Sequence, residues 1–281
     1  MKTTPPTSQS ITAVILAAGK GTRMNSDLPK VMHAALGKPL VEWVVDAAID
    51  AGATRIVLVV GHQAETVRAH FANYTRAGRA AHIEFVTQNP QLGTGHAVDQ
   101  ARPLLKDDAS DRPVLVLCGD GPLITPATIA AILATHTAAD AAATLATSVI
   151  PDAEGYGRIS RDESGTFQAI VEQKDCTPAQ REIREINPSY YCFATGALLE
   201  TLGQVDNRNA NGEYYITDVF GILTRAGRTV QVVDAVPPQE VLSVNTPAQL
   251  AEVSAILHTR TSCRTTTHTR ACSTQPTEAR P

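Results

Sequence analysis

Cysteine is scarce: five residues in 281, an odd number, with no Cys-x-x-Cys pair. That argues against both a disulfide framework and a zinc ribbon. No apolar run approaches the ~20 residues that a membrane span requires. Residues 1–10 carry no apolar core of the signal-peptide kind. Basic charge is not in excess. Lys and Arg total 24 against 28 Asp and Glu, a net charge of −4, which lacks the footprint of a general nucleic-acid binder. Internal repeats are missing, including the six-residue periods of a left-handed β-helix. Absent too are the P-loop pattern, a Gly-x-Gly-x-x-Gly fingerprint and a Gly-x-Ser-x-Gly elbow. With 43% hydrophobic and 19% charged residues, what remains is a globular, cytoplasmic α/β chain without a nucleic-acid or membrane partner.

Short apolar runs recur at 11–17, 55–60, 83–87 and 114–118 without clean alternation, as strands buried on both faces of a parallel sheet do. Between them 40–51, 65–72 and 125–135 have helical patterning, with Gly52 a C-cap candidate. Strand–helix alternation through about residue 150 predicts a doubly wound sheet, with ligands at the carboxyl ends of its strands. After 150 the rhythm changes. Segments 155–161 and 167–173 flank a Ser164-Gly165 turn and predict a hairpin. Segment 185–194 reads as extended, 213–227 as a helix and 230–236 as a strand. A last helix over 246–257 opens at Asn245-Thr246-Pro247. Residues 259–281 hold eight threonines, a +3 charge and none of Val, Ile, Leu, Met, Phe, Trp or Tyr, so 258–281 is expected to be a disordered tail and 1–10 a flexible N-terminus.

The string Leu16-Ala17-Ala18-Gly19-Lys20-Gly21-Thr22-Arg23-Met24 directly follows the first strand, and Pro29-Lys30 comes next. Small residues there let the backbone approach a nucleotide, and successive N–H groups can cradle phosphate oxygens. Arg23 and Lys30 add two cations suited to a triphosphate. Cys118 reads as a small buried apolar residue rather than a nucleophile.

This string, with Leu28-Pro29-Lys30-Val31, resembles the signature of sugar-1-phosphate nucleotidyltransferases. Later motifs occur in order: 91–97, 155–159, Ile170-Val171-Glu172, Glu185-Ile186-Asn187 and 212–218. Together they look like the GlmU-type N-acetylglucosamine-1-phosphate uridylyltransferase domain, over about residues 10–257. The resemblance implies a Rossmann-like doubly wound mixed sheet flanked by helices, with a smaller β-rich sugar-binding lobe. It divides 11–257 into a nucleotide-binding half, 11–150, and a sugar-binding half, 151–257. Leu16, Ala17, Ala18, Gly19, Gly21, Lys30, Gln88, Gly93, Thr94, Gly119 and Asp120 would bind the nucleotide, with Gln88 and Gly93-Thr94 on the base. Gly157, Glu172, Asn187, Tyr215 and Thr217 would line the sugar pocket. Asp120 and Asn245 would hold Mg²⁺, while Arg23 and Lys30 act catalytically on phosphate charge. His96 is expected to pack or to act behind the contacting residues rather than catalyse.

The implied reaction is UTP and N-acetylglucosamine 1-phosphate to UDP-N-acetylglucosamine and pyrophosphate. The same reaction on another sugar or nucleotide, or a binding protein that has lost catalysis, stays open. Two departures bear on this. Where the family commonly has Tyr-Gly-Asp-Val-Pro-Leu the chain has Cys118-Gly119-Asp120-Gly121-Pro122-Leu123, and Asn187-Pro188-Ser189 stands where Asn-Thr-Gly or Asn-Ser-Gly is usual. No acetyltransferase activity is expected, and the assembly is expected to be a monomer or weak dimer.

Overall fold

The computed structural model describes residues 10–76, 82–234 and 236–271. The flexible N-terminus expected over 1–10 falls, except for Ser10, outside the described residues. The chain opens with β1 (Ile11–Ala17), a two-stranded ribbon of β2 (Ala34–Ala35) and β3 (Lys38–Pro39), then α1 (Leu40–Asp50), β4 (Ala53–Val60) and α2 (Ala64–Phe71). There follow β5 (His82–Thr87), the short helices α3 (Thr94–Asp99) and α4 (Arg102–Leu105), β6 (Pro113–Cys118) and α5 (Pro126–Ala138). Strands β5-β4-β1-β6 lie side by side in that order, all parallel. The four expected strands therefore stand within two residues of their predicted bounds. Ala13 and Ile15 feed one apolar cluster with α1 and α5, while Val14 feeds another with α3 and α4. Both faces are closed, which is why these strands show no alternation in sequence.

Beyond β6 the sheet turns antiparallel, except that β12 (Val230–Asp234) joins β7 (Ala143–Val149) in parallel. Strand β7 (Ala143–Val149) is followed by the hairpin β8 (Gly157–Arg161) and β9 (Phe167–Val171), by helix α6 (Pro178–Arg181), and by β10 (Glu185–Asn187) and β11 (Tyr190–Ala194). Helix α7 (Thr195–Leu202), α8 (Asp218–Arg225), β12 (Val230–Asp234) and α9 (Pro247–Ala271) complete the described chain. The full order is β5-β4-β1-β6-β11-β7-β10-β8-β9, with β12 also on β7. The smaller β-rich part thus continues the main sheet: β11 pairs with both β6 and β7, and β10 joins β7 to β8.

Three expectations change. Segment 185–194 is two strands with different partners, broken at Pro188-Ser189, where Ser189 has φ +67°. The helix expected from 213 begins at Asp218, because Tyr214 and Ile216 spend their N–H groups on Leu92 O and Thr94 Oγ1. The final helix does not stop at 257 but runs through 271. Leu257 is buried beside Val253, Met24 and Leu123, Arg260 donates to Leu123 O at 2.7 Å, and Thr259 and Thr261 donate to carbonyls four residues back. Residues 272–281 lie outside the described residues. Among the described residues no helix is long and apolar enough to cross a membrane.

Candidate active site

In the parallel part, β1 has β4 on one side and β6 on the other, so the strand order reverses between β1 and β6. The carboxyl ends of these two strands form the crevice where such sheets bind ligands. The chain crosses it tightly: Gly119 N donates to Leu16 O at 2.9 Å, and a Cβ on Gly119 would stand 2.8 Å from that oxygen. Only glycine lets the two strand ends come so close. Gly21, at φ +67°, turns the signature loop back against the Lys30 side chain.

Two cavities meet at this crevice. The first, about 320 Å³, is lined by Leu16, Ala18, Gly19, Lys30, Gln88, Gly93, Thr94 and Asp120, together with Gln91, Cys118 and Glu213 among others. The second, about 550 Å³, is lined by Arg23, Cys118, Asp120, Gly157, Glu172, Asn187 and Asn245, and also by Tyr156, Ser189, Ser243 and Gln249. Cys118 and Asp120 face both. Ala17 is buried in the core and Gly119 works through its backbone, so neither lines a cavity. Tyr215 and Thr217 stand apart from the second cavity. They line a third space of about 370 Å³ on the other side of Glu172, and Thr217 Oγ1 donates to Glu172 Oε1 at 2.9 Å.

The charged groups converge where the two cavities join. Lys30 Nζ donates to Asp120 Oδ2 and, at 3.0 Å, to Asn245 Oδ1, and Arg23 Nη2 reaches the same Asn245 oxygen at 3.0 Å. Val244 N donates to Asp120 O at 2.9 Å, tying the Asn245 loop to the end of β6. Thr246, not Asn245, caps α9: its Oγ1 accepts from Gln249 N at 3.3 Å, while Gln249 Oε1 accepts from Asn245 N at 2.8 Å. The Asn245 carboxamide is thereby released from capping and faces the cations. Burial, with the Asp120 charge behind it, pushes the Cys118 thiol up to about 12, which keeps it neutral. Burial also raises the Glu172 carboxyl, against the opposing bond from Thr217, and the nearby Asp218 and Asp175 charges push the same way.

On the far wall of the first cavity, Gln88 N donates to Val60 O at 2.8 Å and its Nε2 to Gly93 O at 2.9 Å. Gln91 Nε2 donates to Ala18 O. Asn187 is fixed twice: its Nδ2 donates to Tyr191 Oη at 2.7 Å, and its Oδ1 accepts from Ser189 N at 3.0 Å. The sequence assigned no site role to Gln91, Gln249 or Glu240. Gln91 opens the 91–97 motif, and Gln249 lies one helical turn beyond Asn245. Glu240 carried no signal: it is 4% exposed, and its carboxylate accepts from Thr125 N and Thr128 Oγ1 from across the fold.

Over residues 12–236 the chain matches the nucleotidyl transferase family, and it belongs to that family. The chain is a nucleotidyltransferase with a Rossmann-like sheet at its centre. It is 46% identical to the bifunctional protein GlmU of Brevibacillus brevis over 250 residues, 89% of this chain and 52% of that protein. Against the bifunctional protein GlmU of Bacillus subtilis the identity is 43% over 248 residues, 88% of this chain and 52% of the relative. The chain spans about half the length of the relatives it matches. A solved UDP-glucose pyrophosphorylase complexed with UDP-glucose superposes with a TM-score of 0.73 at 17% identity, covering 89% of this chain and 99% of that one, a likeness of fold.

Proposed function

We propose that the chain transfers a uridylyl group from UTP to N-acetylglucosamine 1-phosphate, releasing pyrophosphate. The observation that carries this reading is the meeting of two ligand-sized cavities at Asp120, with Lys30 and Arg23 at the junction. The first cavity suits the nucleotide, with Gln88 and Gly93 at the base and the Leu16–Gly19 backbone at the phosphates. The second suits the sugar phosphate, with Glu172 and Asn187 facing hydroxyl and amide groups. Tyr215 and Thr217 would act behind Glu172 rather than on the sugar.

The residues present fit a divalent cation. The Lys30 ammonium lies between Asp120 Oδ2 and Asn245 Oδ1, so a carboxylate and an amide oxygen converge on one positive charge. One or two protein oxygens plus substrate phosphates is what Mg²⁺ prefers. Bound there, Mg²⁺ would neutralise phosphate charge on both substrates. Among the described residues no group of three or more His, Cys, Asp or Glu is arranged to hold a metal, so substrate oxygens would have to complete the shell.

A sugar phosphate is mostly dianionic at pH 7 and needs no general base to attack the α-phosphorus in line. Catalysis then reduces to positioning and charge stabilisation. Arg23 and Lys30 meet the charge that builds on the leaving pyrophosphate. The neutral Cys118 thiol takes no part as a nucleophile. The test is pyrophosphate release with Mg²⁺, crossing UTP, CTP, GTP and ATP with a panel of sugar 1-phosphates. UTP with N-acetylglucosamine 1-phosphate is expected to be the best pair. Release that favours another pair would replace the substrates, and UDP-sugar binding without release from any pair would leave a binding protein.

A further inference from the structure

His96 sits on α3 beside the first cavity, in contact with the Gln88 carboxamide. Gln88 is 5% exposed, and its amide orientation is not free. The Gly93 carbonyl can only accept, so Nε2 must face it, as it does at 2.9 Å. Nε2 also lies 3.2 Å from His96 Nδ1 and has its second hydrogen to give, so Nδ1 must carry the ring's lone pair. Among the described residues Gln88 Oε1 has no partner, and it is not among the enclosed unpartnered atoms, so it opens on the cavity that Gln88 lines.

The other ring nitrogen has a rival. Gln100 Nε2 is 3.2 Å from His96 Nε2 while donating to His96 O at 3.1 Å. A neutral imidazole has one lone pair and cannot accept from both amides. A carbonyl fixes each amide, His96 O that of Gln100 and Gly93 O that of Gln88, so burial decides between them. Gln88 is enclosed and cannot turn away, whereas Gln100 is half-buried just past the end of α3 and is free to swing off the ring. The ring also borders a surface cavity of about 310 Å³ shared with Leu92, Asp99 and Tyr214.

We propose that His96 is a positioning residue for base selection, its Nδ1 lone pair locking the Gln88 carboxamide with Oε1 toward the nucleobase. An acceptor held in that direction favours uracil, which donates from N3, over cytosine, which accepts there. The inference rests on the reading of the first cavity as the nucleotide site. It adds that the selecting group is aimed by a residue that does not touch the base.

Calorimetric affinities for UTP and CTP, with Mg²⁺ and the full chain, test it. The parent protein is expected to prefer UTP. His96→Ala and His96→Gln should each lower the UTP-to-CTP affinity ratio by about tenfold, the scale of one net hydrogen bond. His96→Asn, whose Oδ1 takes the place of Nδ1, should keep the ratio within about threefold on that scale. A packing role would weaken both nucleotides alike and leave the ratio unmoved, overturning the proposal. So would an Asn variant that falls with the other two, or a parent without preference for UTP. If the alanine variant does not fold, the Asn and Gln variants decide alone. Pyrophosphate release is scored separately: its absence with the base preference and its loss intact would sink the proposed reaction and leave base selection standing.

Discussion

Around β1 and β4 the sheet is apolar on both faces: Ala13, Val14, Ile15, Ile56, Val57 and Leu58 are all 0% exposed. The hairpin side buries Arg158, Asn187 and Thr217 instead. The first cavity accordingly sits at the ends of β1 and β6, where Gly119 brings the two strands together, and its wall includes backbone at Gly19 and Gly93. The second is walled by side chains such as Glu172 and Asn245, held by partners far away in sequence, and Asn187, held locally by Ser189 and Tyr191. A backbone wall tolerates change poorly where it is tightest, whereas a side-chain wall can be retuned residue by residue. The family departures at Gly121 and Pro188 both fall on the second.

The largest effect should come where the two regions meet. Arg23→Ala removes an exposed cation, so turnover should fall about 10²- to 10³-fold, the scale of losing one charge-stabilising donor. Stability should stay within about 0.5 kcal/mol of the parent by thermal unfolding, as for surface substitutions generally. Near-parent turnover would show that the junction does not stabilise phosphate charge.

Gly93→Ala attacks the backbone wall. Its Cβ would stand 2.6 Å from Tyr214 O, at φ +110°. A loss of about 2–3 kcal/mol in denaturant unfolding is expected from strain and overpacking together, with weakened nucleotide binding. A variant as stable as the parent would show that this wall can give.

Gly121→Val restores the residue common in the family and probes the side-chain wall. A Cβ there meets Tyr190 Oη at 3.1 Å, and that hydroxyl donates to Glu240 O at 2.7 Å. The expected cost is about 1–2 kcal/mol, relieved in the double variant with Tyr190→Phe. Ser189→Gly should act in the opposite direction. Ser189 occupies a left-handed conformation at the position where the family motif has glycine; its backbone N–H serves Asn187, and its hydroxyl hydrogen-bonds with Cys118 and Tyr191. Relief of strain, offset in part by a freer unfolded chain and by the lost hydroxyl bonds, should leave a net stabilisation below about 0.5 kcal/mol.

The smallest effect is a pH-dependent one. Burial raises the Glu172 carboxyl above its ordinary 4.5, so the folded state binds that proton more tightly than the unfolded state. Its contribution to stability is thus greatest below 4.5 and is lost as pH rises through the raised value. Glu172→Gln should therefore raise the thermal midpoint slightly at pH 7 and lose that advantage below 4.5. An advantage constant with pH would remove burial as the cause.

Much of the parallel half was legible because burial on both faces writes itself as short apolar runs, and β1 carries the bounds read from sequence. Strand β7 was missed. Its Ala-Thr-Leu-Ala-Thr-Ser-Val has little apolar signal, and it is a strand because β11, β12 and β10 pair with it, a tertiary cause outside any local window. The split of 185–194 was half visible, since Pro188 and a serine in place of glycine marked an irregular backbone without saying that the partner strand changes. The signature loop and Asp120 were read from the strand-end rule and the resemblance, and they converge. Tyr215 and Thr217 carried the right motif but stand behind Glu172, because the 213–217 segment spends its backbone bonds on the Leu92–Gly95 turn. Motif membership records ancestry of the wall, not which layer of it a residue occupies.

Strand β7 has a mechanical consequence. Residues 143–145 pair with β11 and 148–149 with β10, so the ladder runs unbroken from β5 to β9 beneath both cavities. The two substrates would thus be presented from a single beam rather than from two jaws. On the proposed function, the distance between the two substrate sites would be set by that shared sheet. A ligand that binds only the folded chain, in either cavity, should raise its thermal midpoint.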